Sequence, residues 1–258
     1  MTAYGISDKG CRRPTNQDAY ALTLKDGDGV AILAVCDGMG GANAGNVASR
    51  FALDTFMERV QEQASPDMGR EGMERALREA ADAANETVFR LSTRQPEFAG
   101  MGTTLVAGMI IGDKTLLINI GDSRAYSIDA KNIIQLTEDH SYVNEMIRQG
   151  KLRAEAARNH PNRNLITRAI GVDPSVEGDV YEVDLREGDI LLLCSDGLST
   201  MVEDEQIAGI IRRAADLETA AKALVEAAKL RGGADNITVV LFSLDTQEQE
   251  NEPAAHEE

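Results

Sequence analysis

Five aspartates fall where apolar runs of strand length meet glycine-containing or polar turns. Asp37 follows VAILAVC and precedes Gly38, Gly40 and Gly41, and Asp196 follows ILLLC in Ser195-Asp196-Gly197. Asp122 follows TLLINI in Gly121-Asp122-Ser123, while Asp235 and Asp18 each stand just before a strand-like run. Strand ends are where segments distant in sequence converge on one edge of a sheet. Two carboxylates about 4 Å apart repel by about 4 kcal/mol at an effective dielectric of 20, so something positive must sit among them. Oxygen ligands without His or Cys at matching positions suit hard cations, Mg²⁺ or Mn²⁺ first and Ca²⁺ next, rather than zinc. Two such ions about 4 Å apart lower the pKa of a water they share and aim it at phosphorus in line with its leaving oxygen. No protein nucleophile is then required, and the chain offers no G-x-S-x-G elbow, no convincing Cys/His pair and no Walker loop. Taken singly, each Asp-Gly is ordinary turn chemistry; the recurrence after aliphatic runs carries the functional reading.

The elements that must deliver these acids can be read from periodicity. Short strands are expected over 2–7, 19–24 and 29–36, the last two joined by Asp26, Gly27 and Asp28, with all three antiparallel. Helical spacing over 45–63 (Val47, Phe51, Phe56, Val60) and 68–91 (Met73, Leu77, Ala80, Ala84, Val88, Leu91) predicts two helices, each laying one apolar stripe on a sheet. A meander is expected over 102–111, 114–121, 124–129 and 132–136, then a polar, weakly helical insertion over 139–171. Strands over 180–185 and 189–194, helices over 204–214 and 217–231, and a strand over 236–244 complete the chain. Helices in separated pairs around mixed sheet point to a layered α/β sandwich in one domain rather than a doubly wound alternation.

Composition narrows the class. The 258 residues are 43% hydrophobic and 27% charged, with no tryptophan and ten phenylalanines and tyrosines together, so the core is aliphatic. A net charge of -17 argues against nucleic acid as a partner, because phosphate backbones need clustered Lys and Arg. Residues 245–258 hold six acids and no Lys or Arg and are expected to form a disordered, solvated tail. Cys11, Cys36 and Cys194 are an odd number, two of them inside apolar runs, which fits a reducing compartment. No leader pattern and no run of about 18 apolar residues is present, so a cytoplasmic, membrane-free location is expected.

The motifs RRPTNQD (12–18), CDGMGG (36–41), GTT (102–104), GDSRAY (121–126), LTEDHS (136–141), CSDGLS (194–199) and GGADNITVV (232–240) resemble, in order and spacing, the bacterial type-2C metal-dependent protein phosphatases, the PPM family. The resemblance spans about residues 2–244. It implies an α+β fold, a four-layer α-β-β-α sandwich with two central mostly antiparallel sheets, and hydrolysis of phosphoserine and phosphothreonine at a binuclear Mn²⁺ or Mg²⁺ centre. By that resemblance Asp37 is the bridging ligand that orients the shared water, and the Gly38 carbonyl serves the second metal. Asp196 and Asp235 serve the first. Asp18 acts near the second metal through water, and Asp122 matches the ligand of a weaker third. Arg13, rather than Arg12, matches the arginine that clamps the substrate phosphate, its planar fork suiting bidentate contact. Residues 139–171 correspond to the flap, whose arginines would steer an acidic, phosphorylated partner, and His140 at its base is read as structural.

Three departures bear on the carry-over: Gln17 replaces a frequent Glu, Met39 stands where eukaryotic members place a histidine acid, and Thr200 stands where some relatives have Asp. The implied partners are phosphoproteins, including a Ser/Thr kinase, with a monomeric enzyme. A non-catalytic phosphoprotein-binding module is the alternative of another class; Asp37, Asp196 and Asp235 are all present, which disfavours it. A phosphatase acting on an anti-sigma-factor antagonist shares the chemistry and differs in its partner, but such relatives usually carry sensor domains.

Overall fold

The aliphatic runs become strands buried on both faces, and their alternation assigns each face a different layer. In the computed structural model, which describes residues 1–40, 44–157 and 160–244, the chain runs β1 (Thr2–Asp8), β2 (Asp18–Lys25), β3 (Val30–Met39), α1 (Ala44–Gln63), α2 (Arg70–Arg94), β4 (Gly102–Thr103), β5 (Leu105–Ile111), β6 (Lys114–Ile120), β7 (Arg124–Ile128) and β8 (Ile133–Gln135). It continues α3 (Tyr142–Arg148), α4 (Ala154–Ala157), β9 (Asp179–Val183), β10 (Ile190–Cys194), α5 (Asp196–Ser199), α6 (Asp204–Arg213), α7 (Leu217–Leu230) and β11 (Ile237–Ser243). Gly41, Arg158 and the acidic tail with His256 lie outside the described residues. Among the described residues no helix is long and apolar enough to cross a membrane.

On β3, Ile32, Ala34 and Cys36 point to α1 and α2, whereas Ala31, Leu33 and Val35 point to the second sheet. On β11, Ile237, Val239 and Leu241 meet α6 and α7, while Val240 and Phe242 meet the first sheet. Three apolar layers therefore separate four structural ones, giving the expected α-β-β-α sandwich. Neighbouring strands run antiparallel, in the orders β1-β11-β10-β7-β8 and β2-β3-β5-β6-β9, with β4 paired to β3.

Three local expectations are corrected. β2 and β3 form the antiparallel hairpin, but β1 lies in the other sheet, paired along its length with β11. The turn-rich segment 9–17 carries the chain from one sheet to the other, which adjacency in sequence could not reveal. The meander likewise divides: β5 and β6 belong to one sheet, β7 and β8 to the other, and the crossing is made at Gly121-Asp122-Ser123. On α1 the buried stripe is Ala48, Ala52, Phe56 and Val60, while Phe51 is 47% exposed. Small side chains let the helix lie close to the sheet, and weighting large apolar residues over alanine misplaced the stripe by one position.

Candidate metal centre

One edge of the sandwich collects all five acids because each element carrying one begins or ends there. Asp18 opens β2 directly opposite Asp37 near the end of β3. β10 and β11 are antiparallel neighbours, so Asp196, just past the end of β10, and Asp235, just before β11, share that edge. A Cβ on Gly197 would collide with the Asn236 carbonyl, and one on Gly38 would collide with the carbonyls of Gly45 and Gln17. Glycine is therefore required where these chains meet at van der Waals distance. Asp122 sits on the crossing between the sheets.

Hydrogen bonds fix the backbone around Asp37. Its N–H donates to Thr104 Oγ1 (2.9 Å), and its carbonyl accepts from the Thr104 N–H (2.9 Å) and Thr103 Oγ1 (2.8 Å). Thr104 is tied in turn to Ser123 (2.7 Å), beside Asp122. Asn236 straps the 9–17 segment: its Nδ2 donates to the carbonyls of Lys9 and Thr15, and its Oδ1 accepts from the Gln17 N–H. Asp18 is held by one oxygen, Oδ2, which accepts from Ser195 Oγ (2.7 Å) and Thr238 Oγ1 (2.6 Å). Its other oxygen, Oδ1, and Asp196 Oδ1 are buried with no hydrogen-bond partner.

Such orphaned oxygens are costly unless a cation or water meets them. The electrostatics carry the same message. Burial, opposed by the Thr238 and Ser195 hydroxyls and reinforced by Asp196 and Asp235, raises the Asp18 pKa to about 7. Burial followed by the charge of Asp196 pushes Asp122 to about 8. Burial and Asp235 push Asp196 to about 6, and burial with Asp18 and Asp196 drives Asp37 well above the usual carboxylate range. The crowded acids thus call for positive charge, and the all-oxygen donor set fits a hard divalent ion. Among the described residues no three His, Cys, Asp or Glu side chains close around one point by themselves. An ion here must complete its shell with backbone oxygen and water, as Mg²⁺ and Mn²⁺ readily do.

Arg13 stands beside the acids, its Nη2 donating to Asp235 Oδ2 at 2.6 Å, and half its side chain is exposed. Arg12 makes no such contact. A cleft of about 420 Å³ opens next to Asp122, Asp196 and Asp235 and is walled by Ser141, Val143, Arg163 and Asn164 on one side and Ser199, Thr200 and Met201 on the other. Thr200 lines the cleft and donates its hydroxyl to the Asp196 carbonyl (2.7 Å). The Gln17 side chain packs against the backbone of Gly45, and Met39 packs towards Gly102.

His140 is buried: its Nδ1 accepts from the Gly121 N–H (3.1 Å) and its Nε2 meets Asp179 (3.1 Å), the structural role expected of it. His160 lies against Tyr142, ring centroids 6.1 Å apart. Cys36 and Cys194 are fully buried, and burial pushes both thiols up, Cys194 to about 12. They stay protonated core residues rather than redox groups.

Sequence reasoning singled out the acids but not their supports: Ser195, Thr238, Asn236, Thr104, and Arg124 with its bidentate bridge to Asp139 (Nε to Oδ1 2.9 Å, Nη2 to Oδ2 2.7 Å). The signal was present, since these polar residues sit within or beside the motif runs, some at strand positions where an apolar residue would otherwise be expected.

Residues 12–231 match the family model described as Protein phosphatase 2C. Over 245 residues the chain is 37% identical to the serine/threonine phosphatase stp of Listeria monocytogenes, covering 95% of this chain and 96% of that one. The serine/threonine phosphatase Stp1 from Staphylococcus aureus has a similar structure (TM-score 0.88, 33% identity, 95% of each chain). So does the catalytic domain of the serine threonine protein phosphatase PstP in complex with two manganese ions (TM-score 0.80, 33% identity, 93% of this chain and 96% of that one).

Proposed function

Because the chain belongs to the protein phosphatase 2C family, whose serine/threonine phosphatase activity it shares, we propose that its edge of aspartates holds two divalent cations, Mn²⁺ or Mg²⁺. The observation that carries the reading is the convergence of Asp18, Asp37, Asp122 and Asp196 with raised proton affinity, two of them keeping a buried oxygen without a partner. A similar structure that carries two manganese ions supports it. On this reading Asp37 would serve both ions, the Gly38 carbonyl the second, and Asp196 and Asp235 the first. Asp18 has committed Oδ2 to two hydroxyls, which leaves Oδ1 to act through water. Asp122 serves a weaker third site. When bound, the pair supplies charge stabilisation at phosphorus and lowers the pKa of water at neutral pH. The chain's own residues orient that chemistry: Thr103 and Thr104 hold Asp37, and Asn236 holds the loop bearing Arg13 over the same edge.

Residues 1–244 form the phosphatase domain, 139–171 its flap, and 245–258 an acidic tail. The enzyme acts as a cytoplasmic monomer on phosphoproteins, among them a bacterial Ser/Thr kinase. Phosphate release from a phosphothreonine peptide should need added Mn²⁺ and vanish in excess chelator. Equal turnover in chelator would reject the two-metal reading. Arg13→Ala should raise KM for that peptide about tenfold or more and change kcat less, because loss of a charge-assisted phosphate contact is worth about 1.5–3 kcal/mol. An unchanged KM would move the clamp elsewhere.

A further inference from the structure

The cleft's outer wall hangs from the chain between β8 and β9, and both of its legs close on one carboxylate. On the outgoing leg His140 Nε2 meets Asp179 Oδ2 at 3.1 Å; on the returning leg Arg168 Nη1 donates to Asp179 Oδ1 at 2.8 Å. Because the Gly121 N–H donates to His140 Nδ1, the imidazole proton lies on Nε2 and points at Asp179. Arg168 is therefore only a packing neighbour of that ring nitrogen, at 3.4 Å. The legs are also zipped to each other: Thr167 N–H donates to the His140 carbonyl (2.8 Å), Tyr142 N–H to the Leu165 carbonyl (2.8 Å), and Ser141 bridges Ile166.

Asp179 is the first residue of β9, an edge strand of the six-stranded sheet, so the clasp is anchored on the scaffold rather than on the excursion itself. Burial pushes its pKa up, but the donors His140 and Arg168 outweigh that and hold it below the ordinary aspartate value. The wall residues Ser141 and Val143 follow His140 at once, and Arg163 and Asn164 come shortly before Arg168. Where these side chains stand over Asp122 and Asp196 is thus fixed by the clasp.

We propose that Asp179, joined to His140 and Arg168, is a positioning residue that sets the wall of the phosphopeptide cleft, governing peptide affinity without touching the reacting phosphate. This rests on the reading of the adjacent edge as the phosphatase centre.

The test compares Asp179→Asn, Arg168→Met and the double variant, each in Mn²⁺, on an acidic phosphothreonine peptide and on p-nitrophenyl phosphate, which is too small to need the wall. Wild-type turnover of the aryl phosphate in Mn²⁺ against chelator checks the metal reading separately. With a clasp, each single variant raises peptide KM about tenfold, the double variant raises it no further, and aryl phosphate kcat/KM stays within about twofold. The sign for Asp179→Asn is diagnostic, because simple removal of a negative charge near an acidic substrate would lower KM instead. A lowered or unchanged peptide KM, additive effects in the double variant, or equal losses on both substrates would overturn the proposal.

Discussion

Asp37→Asn should reduce kcat/KM on a phosphothreonine peptide by about a thousandfold or more, on the scale of losing a preorganised charge at a reacting centre, about 4 kcal/mol. The substitution is isosteric, and the bonds that hold this residue in place run through its backbone to Thr103 and Thr104, so the fold should persist. What is lost is the one carboxylate that faces Asp18 across the hairpin. The same change removes a repulsive charge from the metal-free edge. In chelator, Asp37→Asn should therefore unfold at a higher temperature than the wild type while being inactive. Activity assays and thermal unfolding of the one variant check both halves. Retained activity, or a lower unfolding temperature in chelator, would place the charge cluster elsewhere.

The metal-free protein should lose stability as pH rises from about 4 to 8. A carboxyl whose pKa is higher in the folded chain than in the unfolded one holds its proton more tightly when folded. Its contribution is complete below about pH 4 and disappears as pH climbs through the folded value. Asp196 at about 6, Asp18 at about 7 and Asp122 at about 8, with Asp37 above the usual range, define that window. Exposed acids with lowered values, such as Asp129 at about 2, act in the opposite sense but only at lower pH. Mn²⁺ binds the ionised cluster, so its stabilisation should grow over the same interval, reaching about 4 kcal/mol where its concentration is a thousand times its Kd. Unfolding midpoints at pH 5 and pH 8, in chelator and in Mn²⁺, read this out. A midpoint in chelator that rose between pH 5 and 8 would contradict the account.

The acids were legible because strand-length aliphatic runs and adjacent glycines are local signals, and because Asp37 and Asp196 repeat one arrangement on two distant strands. Paired helices separated by strands pointed to a layered sandwich, and the four-layer order came from the family resemblance. What the sequence hid was non-local. Ser195 and Thr238 reach Asp18 across 177 and 220 positions, and by type alone a Ser or Thr at a strand end is indistinguishable from a turn residue. The strand β1 joins β11 across the whole chain, and the crossing at Gly121-Asp122-Ser123 looks like any hairpin turn. On α1, alanines outranked Phe51 because close approach to the sheet, not side-chain size, decides which face is buried. The Asp179 clasp was invisible for a related reason: His140, Arg168 and Asp179 are unremarkable polar residues until β9 brings the last of them between the other two.

Equilibrium dialysis of Mn²⁺ against the wild type and Asp37→Asn, at neutral pH and side by side, tests the central claim most directly. The arrangement predicts two tightly held ions per wild-type chain and a loss of tight binding at both sites in the variant, because one carboxylate serves both. Two ions bound by Asp37→Asn with unchanged affinity would contradict it.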